Sequence, residues 1–160
     1  MVKLLVIITT VVVGVLACIA VPNLIEAMNR SHQVRSLADL RMISTAWEAR
    51  ATEMKTYAVG AKSRDPVEET KIEWNALTKV PAASLQRVLQ PTYIKAMPTI
   101  DAWGFPYEFA GGDQTYAIRS LGRDGRPDAV NAKYVFGNTK SFDADAVLVN
   151  GSFLRGPEGM

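Results

Sequence analysis

The sequence of 160 residues contains a single cysteine and a single histidine, and each shortage excludes a class of protein. An intrachain disulfide, or a zinc site built on cysteines, needs at least two thiols. The 18 basic residues nearly balance the 16 acidic ones, so the dense positive charge typical of nucleic-acid binding is absent. Apolar residues make up 48% of the chain, which excludes disordered and collagen-like classes. We expect a folded protein with room for one domain and no nucleic-acid partner.

The sequence also lacks the motifs on which most catalytic sites depend. His32 is alone, so no catalytic triad is possible around it, and a lone surface histidine is ordinarily a solvated side chain. Neither a GxxxxGK[ST] phosphate loop nor a glycine-rich strand-to-helix turn occurs. Trp103 and Tyr107 are a possible stacking surface for sugars or bases, but core packing is the commoner role of such side chains. The sequence predicts a protein that is not an enzyme.

Charge is missing from the 18 residues between Leu4 and Val21, and the uncharged run continues to Ile25. A helix of this length is roughly 27 to 33 Å long, about the thickness of the hydrocarbon core of a membrane. Three interpretations compete: a cleaved secretory signal, a lipoprotein signal acylated at Cys18, and a retained membrane anchor. We favour the anchor and keep the alternative of a membrane-anchored periplasmic lipoprotein that acts as a monomeric binding module.

The residues after the apolar run continue the helical pattern with one apolar face. The apolar positions recur every three or four residues and are Val34, Leu37, Leu40, Ile43, Trp47, Ala51 and Met54. A single helix from Leu4 to Met54 is therefore expected, with a kink or local unwinding at Pro22, where one backbone hydrogen bond is lost. Gly14 weakens the same segment. We expect three parts: residues 1–25, a hydrophobic helix for a membrane or filament core; 26–54, its amphipathic continuation; and 55–160, a globular head.

The head shows loop, helix and hairpin signals in turn. The polar stretch from Lys55 to Glu73 predicts a loop, and residues 82–90 predict a short helix that ends before a proline. Two hairpins are expected after it. The first joins residues 105–109 to 115–118, and the second turns at Asn150-Gly151, a strong type I′ signal. The fold class is thus α+β, with a long kinked N-terminal helix packed against a small antiparallel sheet.

One cluster of acidic residues is a candidate calcium site. Asp124 lies in an Asp-Gly loop, and Asp143 and Asp145, two residues apart, fall on one side of an extended chain. Calcium binds six to eight oxygen ligands, which such loops supply from carboxylates and backbone carbonyls. The alternative is an ordinary Asp-Gly turn with solvated aspartates, because the EF-hand pattern is not met.

The sequence resembles the type IV pilins and the type II secretion pseudopilins. The N-terminal residues that carry the resemblance are Gly14, Ala17, Ile19, Ala20, Val21, Pro22 and Asn23, and Met1 then falls at the first residue of the mature subunit. The C-terminal half resembles the major pseudopilin of type II secretion. Its matching segments are Asp101-Ala102-Trp103-Gly104-Phe105-Pro106-Tyr107, Ser120-Leu121-Gly122-Arg123-Asp124-Gly125, Phe142-Asp143-Ala144-Asp145 and Asn150-Gly151.

The resemblance implies a pilin-like fold and a structural subunit of a helical filament. It implies a single-pass protein of the bacterial inner membrane, with a methylated N-terminus, that is extracted from lipid and polymerises with copies of itself into a periplasmic or extracellular filament. Its partners would be the inner-membrane assembly machinery and minor pilin-like subunits. Whether the filament is a secretion pseudopilus or a surface pilus stays open.

The resemblance also implies a structural Ca²⁺ in the head, held by the carbonyl of Leu121 and by aspartates. Asp124 is the clearest aspartate, and we choose Asp143 and Asp145 over Asp128 because they open the final hairpin. One residue departs from the family pattern. The family usually has glutamate at the fifth mature position, which is thought to meet the N-terminal amine of a neighbouring subunit, and this chain has Leu5. The sequence is therefore compatible with a major subunit and with a minor subunit of the filament.

Overall fold

The computed structural model describes residues 2–60, 71–128 and 133–158. The chain forms two compact units, Met1–His32 and Gln33–Met160, and we call the second unit the head. The elements in chain order are helix α1 (Val2–Met54), strand β1 (Lys71–Glu73), a 3₁₀ turn (Trp74–Ala76), β2 (Lys79–Val80), helix α2 (Ala82–Leu89), β3 (Glu108–Gly111), β4 (Tyr116–Ser120), β5 (Lys133–Val135), β6 (Gly137–Thr139), β7 (Ala146–Val149) and β8 (Ser152–Pro157).

The long N-terminal helix is confirmed, since α1 ends at Met54 as the periodicity predicts. Gly14 and Pro22 both lie inside it as helical residues. No local unwinding therefore occurs at Pro22 in the chain by itself, while the stretched state expected in a filament stays a prediction.

The apolar face of α1 within the head forms one side of the larger core. The buried residues of this core come from α1, β2, α2, β3, β4 and β7, with others from the chain between α2 and β3. They include Leu37, Leu40, Ile43, Trp47, Leu85, Leu89, Tyr107, Phe109, Ile118 and Leu148. A smaller core lies around Trp74, Ala117, Tyr134 and Val147. Alternate residues of β4 thus enter different cores, because successive side chains of a strand point to opposite faces. The sheet is covered on both sides.

Both predicted hairpins are confirmed. β3 pairs antiparallel with β4, and β7 pairs antiparallel with β8. The second turn has φ of 47° at Asn150 and 82° at Gly151, the pair of positive values that a type I′ turn requires. Asparagine and glycine tolerate this region better than other residues, so the local sequence determines the turn.

The rest of the sheet differs from the expectation. Six strands form one sheet in the order β2-β3-β4-β7-β8-β6, and β1 and β5 form a separate pair. β6 lies parallel to β8, so the sheet is mixed, whereas we predicted an antiparallel one. The predicted loop from Lys55 to Glu73 is wrong at residues 71–73, which form β1; residues 61–70 lie outside the described residues.

Three aromatic rings meet where α1 crosses the sheet in the head. The centroids of Trp47 and Tyr116 are 4.9 Å apart, and those of Tyr57 and Tyr116 are 4.8 Å apart. The Tyr116 hydroxyl donates to Glu48 Oε1 at 2.7 Å and lies 2.6 Å from Ser44 Oγ. The second half of α1 is therefore attached to β4 by both ring contacts and hydrogen bonds.

Candidate functional sites: the apolar segment and the acidic loops

The first candidate site is the apolar segment of α1, by which we mean residues 4–25. Its described large side chains are more than half exposed and include Val11, Val12, Val13, Leu16, Ile19, Val21, Leu24 and Ile25. At 100° per residue these positions point in all directions around the helix axis. Among the described residues, one helix is long and apolar enough to cross a membrane, and this segment supplies its apolar part.

The predicted assembly residues lie in or beside this segment. Gly14 has no heavy atom within 4 Å of the position that a Cβ would take, and Cys18 is an exposed free thiol. Pro22 is exposed. Met1 lies outside the described residues, and only the backbone of Leu5 is described, as helix. The expectations on N-terminal processing and on the missing glutamate therefore stay predictions.

The second candidate site lies in the acidic loops of the head, which we define as residues 121–128 and 141–146. Gly122 brings them together. Its φ is +66°, and a Cβ added there would lie 2.5 Å from the Asp143 carbonyl oxygen, so glycine alone permits this approach. The Arg123 amide donates to the Phe142 carbonyl at 2.9 Å. The loop after β4 is therefore in backbone contact with the segment before β7.

Asp101 fixes the start of the first acidic loop, although we did not single it out from the sequence. It is 5% exposed, and its Oδ1 accepts the amides of Trp103 and Phe105 at 3.0 and 2.9 Å. Its Oδ2 accepts the Ser120 hydroxyl at 2.7 Å. Ser36 of α1 in turn accepts the Ala102 amide at 3.1 Å. An aspartate three residues before a glycine is a turn signal that sequence reasoning can use to find such a residue.

Two of the predicted calcium ligands are engaged elsewhere. Asp143 receives two hydrogen bonds from Arg123, Nε to Oδ1 at 2.7 Å and a terminal nitrogen to Oδ2 at 3.0 Å. These bonds lower the pKa of Asp143 and raise that of Arg123. Asp124 Oδ1 accepts the Arg126 amide at 2.9 Å and so caps its own turn. Both carboxylates are exposed or nearly so, and neither is held toward a common centre.

Asp145 is the predicted ligand whose surroundings best suit a bound cation. Its side chain is fully buried, and its Oδ1 has no hydrogen-bond partner among the described residues. Its Oδ2 accepts the Tyr134 hydroxyl and, at 3.1 Å, the Asp128 amide. Burial, the largest cause, raises the pKa of Asp145 to about 6. A buried carboxylate oxygen without a donor is costly to ionise, and a cation is one way to stabilise it.

Asp128, which we ranked below Asp143, is the acidic residue that contacts Asp145. Its Oδ2 accepts the Asp145 amide at 2.9 Å and lies 3.2 Å from a terminal nitrogen of Arg155 on β8. Tyr134 links the same cluster to the buried Arg119, whose guanidinium also pairs with Glu108. This chain of polar groups crosses the sheet from β3 to β8.

The described residues contain no group of three or more His, Cys, Asp or Glu side chains close enough to hold a metal. A hard cation nevertheless fits the chemistry at one point, the unpartnered Oδ1 of Asp145 in the second acidic loop. Leu121 is buried at the end of β4, directly before Gly122. The structure thus brings the backbones of the two loops together at Gly122, and it leaves Asp124 and Asp143 on other partners.

Comparison with known proteins gives one family. The model of the family "Type II secretion system (T2SS), protein G" matches residues 23–139, more than two thirds of the chain. Comparison with curated proteins and comparison with solved structures each gave no match. The match covers the Asp101 turn, the loop after β4 and all of α1 within the head. The chain belongs to the protein G family of type II secretion, the family of the major pseudopilin, whose members are structural and not enzymatic subunits.

Proposed function

We propose that this pseudopilin polymerises through its apolar segment after extraction from the inner membrane. The observation that carries the proposal is the exposure of large apolar side chains on every side of the helix. Water is a poor solvent for such a surface, so lipid must cover it before assembly and neighbouring helices after it. The protein is then a single-pass inner-membrane protein before assembly and part of a periplasmic or extracellular filament afterwards.

Polymerisation in this proposal depends on apolar packing and not on an N-terminal ion pair. Leu5 stands where the family usually has glutamate, so a homopolymer lacks one buried charge pair per subunit. Replacing a buried ion pair by packed apolar groups is often neutral in free energy. Copies of the chain are therefore its main partner, together with the assembly machinery and minor pseudopilin-like subunits.

Intact-mass analysis of the purified protein separates this proposal from the monomeric lipoprotein. A filament subunit begins at Met1, with or without N-methylation, and forms fibres visible by electron microscopy when overproduced. A chain that begins at an acylated Cys18 and forms no fibres contradicts the proposal. Cys18→Ser is the matched variant, because it removes acylation and leaves apolar packing nearly unchanged.

Within the filament, we propose that α1 stretches between Gly14 and Pro22. Proline removes a helical hydrogen bond and glycine lowers helix propensity, so extension costs least there. A filament map of the wild-type chain should show this stretch partly non-helical, and a map of Pro22→Ala should show it more helical. A continuous wild-type helix from residue 4 to residue 54 would count against the stretched state, though not against polymerisation itself.

We also propose that the head binds a structural Ca²⁺ at the acidic loops. The unpartnered, fully buried Asp145 oxygen supports this proposal. Asp145 and the Leu121 carbonyl would hold the ion, and Asp124 and Asp143 would join it by leaving their present partners. A bound ion would stabilise the folded head by RT ln(1 + [Ca²⁺]/Kd), about 2.7 kcal/mol when calcium exceeds Kd a hundredfold.

Thermal unfolding of the full chain in detergent, with calcium and with chelator, tests the calcium site. Asp124→Ala should remove the difference in Tm between the two conditions. Asp128→Ala is the matched control: it lowers Tm in both, because it breaks contacts to Asp145 and Arg155, but it preserves the difference. Equal Tm values for the wild-type chain in both conditions would reject the site and leave an ordinary turn.

A further inference from the structure

Arg123 belongs to the first acidic loop and bonds to the second, and neither proposal so far gives it a role. Its guanidinium grips both oxygens of Asp143, and its amide bonds the Phe142 carbonyl. A two-bond fork of this kind fixes the orientation of the carboxylate as well as its charge. Asp124, the next residue, also acts electrostatically on Arg123. One positive charge thus stands beside two of the proposed calcium ligands.

The fork occupies the ligand that a divalent cation would need. Asp143 presents both oxygens to Arg123, so a cation that takes Asp143 as a ligand must compete with the guanidinium for them. The Asp145 oxygen, by contrast, is buried and has no partner among the described residues. The Asp145 oxygen is therefore free to accept a cation, whereas the Asp143 carboxylate already binds the guanidinium of Arg123.

We propose that Arg123 is a built-in competitor of the divalent cation: it holds Asp143 in the cation-free head and must release it when calcium binds. This inference rests on the proposed calcium site. The exchange is feasible because Arg123 and Asp143 are 46% and 41% exposed, and exposed ion pairs are weak. The pair keeps the two loops connected without calcium, and its positive charge lowers the affinity of the site for calcium.

Calorimetric titration of the full chain in detergent with calcium chloride tests the proposal. Arg123→Gln removes the charge and the fork, and it should lower the Kd for calcium about fivefold. Arg126→Gln is the matched control, since it removes an exposed arginine from the same loop for which the described residues supply no ion pair. Its Kd should change less than about twofold, because a more distant exposed charge is screened by salt.

Thermal unfolding, first with chelator and then with calcium, gives a second measurement. Arg123→Gln should lower Tm in chelator by a degree or two, since it loses the link between the loops. The calcium-induced rise in Tm should become larger than in the wild-type chain. The proposal is overturned if the Kd of Arg123→Gln equals or exceeds that of the wild-type chain, or equals that of Arg126→Gln.

The result also distinguishes this inference from the proposals on which it depends. If calcium binding releases heat in Arg123→Gln but not in the wild-type chain, Arg123 prevents binding altogether, which supports the inference. Absence of binding in both chains would reject the calcium site and the competitor together. None of these outcomes alters the polymerisation proposal, which is tested by mass analysis and microscopy.

Discussion

The two units contain similar apolar side chains on the same helix, but these side chains are exposed in the first unit and buried in the head. Leu16 and Leu24, in the first unit, are 61% and 62% exposed. Leu40, in the head, is fully buried against the sheet and α2. Residue type alone therefore does not determine burial. The head supplies a partner for its own part of the helix, whereas the described residues supply none for Leu16 and Leu24, which lipid or neighbouring subunits would cover in the proposed function.

The largest effect should follow from removing the apolar segment. Deletion of residues 4–25 should convert a membrane-bound, polymerising chain into a soluble monomer, because the remaining core is internal. Sedimentation of the truncated and full-length chains in the absence of detergent measures this change. Fibres formed by the truncated chain would place the assembly interface in the head.

A leucine-to-alanine substitution in each unit compares the exposed and the buried part of the helix directly. Leu40→Ala should lower the free energy of unfolding by about 2 to 5 kcal/mol, because it leaves a cavity in a packed core. Leu16→Ala should change the unfolding of the head by less than about 0.5 kcal/mol. Scanning calorimetry of both variants in detergent checks the pair. Equal losses would mean that the two leucines have similar environments after all.

A smaller loss is expected from the polar contacts of the head. Asp101→Ala leaves two amides and one hydroxyl without their acceptor, which should cost about 2 to 3 kcal/mol. Asp101→Asn keeps one acceptor oxygen for the two amides and should lose about half as much. Calorimetry in chelator measures both. A loss below about 0.5 kcal/mol for the alanine variant would show that water replaces these bonds.

The smallest effect concerns the backbone of the acidic loops. Gly122→Ala combines a positive φ with a Cβ in contact with the Asp143 carbonyl and should cost about 1 to 3 kcal/mol. Gly137→Ala is its control, because it has no positive φ and no atom within 4 Å of the added carbon. We expect a change within about 0.5 kcal/mol there. Equal effects in denaturant titrations would contradict the close approach of the loops.

Local signals predicted the elements whose partners are near in sequence. The helix to Met54 followed from its periodicity, and both hairpins followed from their turns. β1 was not predicted because a strand of three residues is too short to show a period. Its partner is also distant in the sequence, since Ile72 pairs with Tyr134. The parallel contact of β6 with β8 was missed for the same reason. Such pairings depend on tertiary packing, which a short pattern does not encode.

The candidate site shows the same division. The motifs led to the family that the comparison shows, and with it to a structural, non-enzymatic protein. Spacing alone did not reveal that Asp143 faces Arg123 or that Asp128 contacts Asp145. Side-chain direction in a loop depends on which donor lies across it, and that donor belongs to another part of the chain. The ligand set therefore stays a prediction.

The ring contacts of Trp47, Tyr57 and Tyr116 have a spectroscopic consequence. Aromatic rings held in a fixed arrangement within 5 Å give near-ultraviolet circular dichroism, and these two ring pairs exist only when α1, the chain after it and β4 are assembled. The first aromatic residue in the sequence is Trp47, so the apolar segment contains none. The proposed passage of this segment from lipid to filament therefore gives no aromatic signal of its own. The aromatic signal and tryptophan fluorescence consequently report on the head alone, in whichever surroundings the segment lies.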